Sequence, residues 1–311
     1  MREFRIERND AGQRIDKFLT KAVKKLPKNL LYKYIRLKRI KLNGKRCDAS
    51  TMLTEGDLLS LYINDEFFET EQKRPSFLDV TAKLNVVYED ENILLIDKPP
   101  GLLVHEDERQ ISDSLVNMVK RYLYDRGEYN PEKENSFTPA LCNRIDRNTG
   151  GIVIAAKNAA ALRILNAKIK ERELEKYYLC LTEGVPKRRE AELKAYLDKD
   201  EAQNKVFIRS EAGNKSKEIV TRYRVLKSDD RHSLVEVVLL TGRSHQIRAQ
   251  MADIGCPLVG DTKYGGKEKR KYYALYSYKL RFAFRTDAGI LEYLNRKTFQ
   301  VDRVWFENEI I

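Results

Sequence analysis

A charged segment, residues 64–74 (NDEFFETEQKR), has no sustained hydrophobic period and divides the chain into two parts of different character. The part before it carries helical and hairpin patterns, whereas short strand-like apolar runs dominate the part after it. A chain of 311 residues is long enough for two domains. We therefore predict a small domain over residues 1–63, a linker over residues 64–83 and a larger domain over residues 84–311.

The N-terminal part carries the pattern of two helices followed by a hairpin. Apolar residues recur at helical spacing up to Pro27, which is predicted to end the first helix: Ile15, Phe18, Leu19, Val23 and Leu26. Asn29 is predicted to cap a second helix, whose apolar face comprises Leu30, Leu31, Tyr34 and Ile35. Residues 40–45 (IKLNGK) then alternate into an Asn-Gly turn, which is a strong hairpin signal.

Positive charge is concentrated in this N-terminal part. Thirteen Lys and Arg but only four Asp and Glu lie between Gly12 and Leu59, a local excess of nine against +12 for the whole chain. With so few acidic neighbours, a polyanion is the favoured partner, and a solvated helix face is the alternative. The side chains predicted to contact RNA phosphates are Lys33, Arg36, Lys38, Arg39, Lys41 and Lys45.

The second part predicts an α+β domain with a mainly antiparallel, mixed sheet. Strands are expected at residues 151–156, 177–182, 220–225 and 234–240, and helices at residues 112–123, 159–172 and 244–254. Ser244 is predicted to cap the last helix. Residues 272–284 (YYALYSYKLRFAF) alternate like a closing strand, in which we see no separate chemistry.

The polar loop within residues 141–158 (LCNRIDRNTGGIVIAAKN) is the most informative stretch. Asp146 lies between Arg144 and Arg147, and the flanking positive charge favours its ionised form. Gly150 and Gly151 then allow a tight turn and close approach of a ligand. On these residues alone, a structural aspartate that accepts hydrogen bonds within its loop is the simpler interpretation.

Three blocks in order resemble the RluA family of pseudouridine synthases. The loop is similar to the family's HRLDxxTSG signature, residues 175–184 (EKYYLCLTEG) to K-x-Y-x-A-x-x-x-G, and residues 239–265 (LLTGRSHQIRAQMADIGCPLVGDTKYG) to L-x-TGRxHQIRxHLAxIGxPIxGDxxYG. The N-terminal part resembles the small RNA-binding fold named after ribosomal small-subunit protein four. The resemblance implies isomerisation of uridine to pseudouridine in structured RNA.

The resemblance also assigns roles to residues. Asp146 is the expected catalytic carboxylate and Arg248 the cation beside it. Tyr178 is the ring expected to stack on uracil and to help in the late removal of the proton from carbon 5. From spacing alone, Tyr178 is a core aromatic and Arg248 a surface charge. The resemblance places Arg144 in the space that the target base vacates. It places Lys98 near the site, although Lys98 is equally well explained as a solvated lysine in a turn. His245 is expected to have a structural role.

The chain departs from the family's pattern at three positions. Asn143 stands where the family has a histidine, Gly150 where it has a serine and Gln250 where it has a second histidine. None of these is a residue that the chemistry requires. Each can alter the geometry of a loop or the reach toward the substrate.

We expect neither a metal nor a cofactor. The four cysteines form no C-x-x-C pair, the histidines number three, and no dinucleotide or phosphate-binding glycine motif is present. With no secretory signal and no apolar stretch of about 18 residues, we expect a cytoplasmic protein with reduced cysteines and no membrane partner. The resemblance implies a monomer. It favours large-subunit ribosomal RNA as the substrate, with transfer RNA as the alternative.

Two other functions remain open at this point. The first is a non-catalytic RNA-binding protein of ribosome assembly, with the basic N-terminal part and a decayed enzyme domain. The second is a glycoside or nucleoside hydrolase, although hydrolysis normally uses a second carboxylate and none stands out in the three blocks.

Overall fold

The computed structural model describes residues 1–68, 74–106, 113–203, 205–214 and 216–310. The centre of the predicted linker, residues 69–73, and the predicted start of a helix at residue 112 lie outside the described residues.

The predicted N-terminal domain, residues 1–63, called the N-terminal module below, packs two helices against a four-stranded sheet with a core of its own. Phe67 and Phe68, from the predicted linker, also pack against that core. Its helices are α1 (Ile15–Ala22) and α2 (Lys28–Arg36), and its strands, β1 (Arg2–Arg5), β2 (Ile40–Leu42), β3 (Lys45–Arg46) and β4 (Leu58–Leu61), lie in the order β1-β4-β2-β3. Asn43 and Gly44 both have positive φ, as a tight two-residue turn requires, so the predicted hairpin is confirmed.

The rest of the chain is built on one sheet of eleven strands within the described residues. The strands are β5 (Val86–Glu89), β6 (Ile93–Lys98), β7 (Ala140–Leu141), β8 (Gly150–Ala156), β9 (Leu174–Glu183), β10 (Glu190–Asp200), β11 (Lys205–Arg209), β12 (Lys217–Ser228), β13 (His232–Leu239), β14 (Leu275–Phe282) and β15 (Thr298–Gln300). The helices are α3 (Leu115–Asp125), α4 (Ala159–Lys170) and α5 (Gln246–Asp253).

The strand order places the predicted site strands side by side. It runs β11-β10-β12-β13-β9-β14-β8-β6-β5, with β7 paired to β8 and β15 to β14. In the described part of the chain, β14 and β8 are parallel and the other pairs are antiparallel. The predicted α+β fold with a mainly antiparallel, mixed sheet is confirmed.

Both faces of the large sheet are covered by apolar cores. Leu94 and Val153 belong to one core, and Leu95 and Ile154 belong to the other. Because successive side chains of a strand point to opposite faces, strands β6 and β8 are buried along their whole length and lie in the interior of the sheet.

Three local predictions are wrong. Helix α2 begins at Lys28 with Pro27 as its N-cap, because the fixed φ of proline suits the extended residue before a helix; Asn29 therefore lies inside the helix. Ser244 does not cap α5, whose N-cap is His245, since the side chain of Gln246 closes that turn instead. The predicted closing strand, β14, lies inside the sheet between β8 and β9.

Polar side chains fasten the N-terminal module to the larger part. Asp10 is buried and accepts hydrogen bonds from Ser136 Oγ at 2.6 Å and Asn135 Nδ2 at 2.7 Å. Asn9 Oδ1 accepts from the backbone N–H of Ala159 at 3.1 Å, in the first turn of α4. These bonds join the segment between β1 and α1 to the larger part of the chain.

None of the helices in the described ranges is long and apolar enough to cross a lipid bilayer. Cys47, Cys142, Cys180 and Cys256 are all unpaired, and three of them are buried.

Candidate active site

Asp146 lies in the loop that leads from β7 into β8. The backbone N–H of Thr149 donates to the carbonyl of Asp146 at 3.0 Å and closes a turn. The side chain of Asp146 is 31% exposed, so the carboxylate is reachable from solvent.

Lys98, at the end of β6, holds this loop from beneath. Its side chain is fully buried, and Nζ donates to the carbonyls of Pro99 and Leu102, both at 2.9 Å, and of Arg147 at 3.0 Å. Burial lowers the pKa of Lys98 to about 7, while the negative charge of Asp146 acts in the opposite direction. The interpretation of Lys98 as a solvated turn lysine is wrong, because it ties the turn after β6 to the loop that carries Asp146.

Three donors surround one oxygen of Asp146. Oδ2 lies 3.5 Å from the hydroxyl of Tyr273, 3.7 Å from Nη1 of Arg248 and 3.8 Å from Nε2 of His245. Among the residues that the structure describes, none forms a hydrogen bond with Oδ1. One carboxylate oxygen therefore faces positive charge and donors, while the other accepts no hydrogen bond from the described residues.

Arg248 is held by a second carboxylate. Its Nε and Nη2 atoms donate to the two oxygens of Asp261 at 2.7 and 2.8 Å, and its guanidinium lies over the ring of Tyr273 at 4.2 Å. Burial alone would lower the pKa of Arg248, but the hydrogen bonds to Asp261 and the nearby negative charges raise it. With its side chain only 7% exposed, Arg248 is not the surface charge that its helical spacing suggests.

Tyr178 lies on β9, which pairs with β14, and is 5% exposed. Burial raises the pKa of its hydroxyl to about 12; a hydrogen bond with Ser277 opposes this shift, and the negative charge of Asp146 adds to it. The structure thus brings together Asp146, Tyr178 and Arg248, which come from three separate blocks of the sequence.

The structure adds three residues that the sequence reasoning did not single out. Asp261 and Tyr264 both lie in the third block, whose similarity to the family's GDxxYG could have identified them. Tyr273 precedes β14, in the segment in which we saw no separate chemistry, and its hydroxyl lies 3.5 Å from Asp146 Oδ2. No sequence period could have found Tyr273, because it approaches Asp146 only when β14 inserts beside β8.

Arg144 and Arg147 flank the carboxylate and are exposed. Arg147 Nε donates to the carbonyl of Gly101 at 2.9 Å. Together with burial, the positive charge of Arg144 lowers the pKa of His105.

The six predicted RNA-binding residues of the N-terminal module lie together around α2 and the hairpin. Lys33, Arg36, Lys38, Arg39 and Lys45 are exposed and Lys41 is half-buried. Arg39 lies over the ring of Tyr34 at 5.6 Å, and Lys41 over that of Tyr62 at 5.3 Å. Among the described residues, none of the six forms an ion pair with an acidic side chain. Their charge is therefore available to a polyanion.

The three departures from the family pattern have structural explanations. Asn143 Oδ1 accepts from the backbone N–H of Ile154 at 2.8 Å, which extends the edge of β8. Gln250 bridges Thr221 to the carbonyl of Leu193. At Gly150, a Cβ atom would lie 2.2 Å from the ring of Tyr276, so that ring occupies the space of a larger residue.

Comparison with known proteins places these features in a family. Residues 92–253 match the family model described as RNA pseudouridylate synthase, and residues 13–59 match that of the S4 domain. An uncharacterized RNA pseudouridine synthase of Mycoplasma capricolum is 31% identical over 308 residues, which cover 98% of this chain and 99% of the relative. Ribosomal large subunit pseudouridine synthase C of Vibrio cholerae is 30% identical over 300 residues, which cover 95% of this chain and 90% of the relative.

Solved structures show the same fold. Human RNA pseudouridylate synthase domain containing 4 aligns with a TM-score of 0.56 at 20% identity, over 71% of this chain and 89% of that protein. Human RNA pseudouridylate synthase domain containing 1 aligns with a TM-score of 0.54 at 23% identity, over 66% of this chain and 81% of that protein.

Proposed function

This chain belongs to the RNA pseudouridylate synthase family and is an RNA pseudouridine synthase, and we propose that Asp146 is its catalytic carboxylate and large-subunit ribosomal RNA its substrate. The observation that carries the catalytic assignment is the asymmetry of Asp146, with three donors around Oδ2 and no hydrogen bond to Oδ1 from the described residues. We assign RNA binding to residues 1–63 and isomerisation to residues 84–311.

The isomerisation requires only a few protein groups. Uracil must detach from the ribose at N1, rotate and rejoin through its carbon 5, with no redox change and no water consumed. A carboxylate at the ribose, a ring against the base and a cation beside the carboxylate are sufficient. Asp146 serves either by attack on the anomeric carbon or by removal of the 2′ proton, and we assign both routes to Oδ1, which accepts no hydrogen bond from the described residues.

Tyr178 and Arg248 take the other two roles in this proposal. With its pKa raised to about 12, the hydroxyl of Tyr178 keeps its proton at neutral pH, which makes it a poor general base. We therefore assign Tyr178 contact with the base rather than proton removal. Arg248, fixed by Asp261, places a positive charge 3.7 Å from Oδ2.

The target base must leave its helix to reach Asp146, at a cost of a few kcal/mol in stacking. The exposed Arg144 and Arg147 stand on either side of the carboxylate in the sequence. We assign Arg144 to the space that the base vacates and Arg147 to the neighbouring phosphate, because a guanidinium both stacks on bases and binds phosphate.

The ribosomal substrate is tested directly with two RNAs. The purified chain is incubated with a transcript of large-subunit ribosomal RNA or with a pool of transfer RNA transcripts, and pseudouridines are mapped by carbodiimide modification and primer extension. We expect stoichiometric pseudouridine at defined positions of the ribosomal transcript. If only transfer RNA were modified, the proposed ribosomal substrate would be wrong and transfer RNA would be the substrate.

The basic surface of the module predicts a salt dependence. Lys33→Ala/Arg36→Ala is expected to raise KM with little change in kcat, and to reduce the slope of log Kd against log salt by about 1–2, because up to two phosphate contacts are lost. The matched control is Lys24→Ala/Lys25→Ala, which removes the same charge from exposed positions of the same module. Equal slopes for the two variants would mean that the predicted surface is not the RNA-binding one.

A further inference from the structure

The hydroxyl of Tyr264 connects the active site to a distant hairpin. It accepts a hydrogen bond from the backbone N–H of Val206, in β11, at 3.0 Å. It also lies 2.9 Å from Nδ1 of His245, whose other ring nitrogen faces Asp146. Strands β10 and β11 form the hairpin at the edge of the sheet, so its backbone reaches the catalytic carboxylate through two side chains.

The hydrogen bonds of this hydroxyl bear on which nitrogen of the imidazole carries the proton. A tyrosine hydroxyl has one proton to donate, and the N–H of Val206 can only donate to it. Within the described residues, Nδ1 of His245 is the one acceptor at hydrogen-bond distance for the hydroxyl proton. When the hydroxyl donates to Nδ1, that nitrogen is the unprotonated one of a neutral ring, and the ring proton is on Nε2, 3.8 Å from Asp146 Oδ2.

The backbone at His245 is held in an uncommon conformation. Its φ of 56° is in the left-handed region, which few residues other than glycine adopt, and it immediately precedes α5. The rings of His245 and Tyr264 meet edge to face, with centroids 5.7 Å apart. The backbone conformation and the ring contact together fix where Nε2 points.

We infer that Tyr264 is a positioning residue that holds His245 as a neutral Nε2–H donor aimed at Asp146. This inference rests on the proposed role of Asp146. A neutral donor orients the carboxylate without adding a second full charge beside Arg248, so the carboxylate stays reactive toward the ribose. The gap of 3.8 Å leaves room for a small movement that completes the hydrogen bond when the substrate enters.

Tyr264→Phe tests the role of the hydroxyl. We expect kcat to fall about tenfold, the rate equivalent of one hydrogen bond, with KM for the RNA unchanged. The matched control is Tyr223→Phe, in β12, which removes a hydroxyl hydrogen bond to the carbonyl of Arg188 and is expected to leave kcat at the wild-type value.

The pH profile provides a readout that a merely structural role would not move. His245 is faced by the negative Asp146 and Asp261 and by the positive Arg248 and Lys263, and its burial lowers its pKa. Without the Tyr264 proton, Nδ1 is free to take up a proton from solvent and the pKa of His245 rises. The acid limb of kcat in Tyr264→Phe should therefore move to higher pH, and the ring-nitrogen NMR signals of His245 should show protonation at that same pH.

A double variant separates this inference from the proposed function. In His245→Asn, the asparagine tolerates the left-handed backbone, and adding Tyr264→Phe to it should cost no further activity. Wild-type kcat and an unmoved acid limb in Tyr264→Phe would overturn the inference while Asp146→Asn remained inactive. Activity in Asp146→Asn itself would instead overturn the proposed function.

Discussion

Asp146→Asn is expected to lose pseudouridine formation, with kcat reduced by about 10^4-fold or more, the scale for removal of a group that reacts with the substrate. Asparagine keeps the size and one acceptor oxygen of the side chain, so the loop from Asp146 to Thr149 can stay folded. It neither attacks carbon nor accepts a proton from it at neutral pH. RNA binding should persist or strengthen slightly, since a negative charge near the RNA is removed.

The control for this variant is Asp253→Asn, which makes the same change of charge at an exposed position at the end of α5. Unfolding curves of both variants should match that of the wild-type protein, and tritium release from 5-tritiated uridine in RNA measures the reaction. A rate within tenfold of wild type in Asp146→Asn would exclude the carboxylate from the chemistry. Free uracil among the wild-type products would favour the hydrolase alternative.

The fold was predictable where the sequence carries local periods. The hairpin at Asn43 and Gly44 and the strand from Gly151 follow from turn chemistry and from apolar runs. Helix starts were less predictable, because the caps at Pro27 and His245 depend on the backbone and on the Gln246 side chain rather than on a capping residue type. The place of β14 between β8 and β9 depends on long-range pairing, which no local pattern encodes.

The candidate site divides in the same way. The three blocks identify Asp146, Tyr178 and Arg248 because each lies in its own motif. They do not show which carboxylate forms hydrogen bonds with Arg248. The bidentate partner of Arg248 is Asp261, and Asp146 is its more distant neighbour at 3.7 Å. Sequence spacing cannot distinguish these two carboxylates, because the difference arises only when α5 packs against the turn that carries Asp261.

The largest expected loss of stability comes from a buried ion pair remote from the site. Lys168 Nζ, near the end of α4, lies 2.8 Å from Glu173 Oε2, and the carboxylate also accepts from the backbone N–H of Arg285 at 3.1 Å. The side chain of Glu173 is only 2% exposed. Glu173→Gln leaves the buried ammonium without its counter-charge, so we expect the free energy of unfolding to fall by about 3–5 kcal/mol. Chemical denaturation at pH 7 measures it.

Acid titration gives this prediction a distinct signature. The hydrogen bond from Lys168 lowers the pKa of Glu173 to about 2 against burial, whereas the group in the unfolded chain keeps its ordinary value of 4.5. Both states are ionised above pH 4.5, so the stabilisation is complete there; between pH 4.5 and 2 the unfolded chain alone takes up the proton, and stability falls as pH falls. Glu173→Gln should lack this part of the acid-induced decrease in Tm. Glu171→Gln, an exposed neighbour with the same change of charge, should retain it, and equal acid slopes for the two variants would exclude the ion pair as its source.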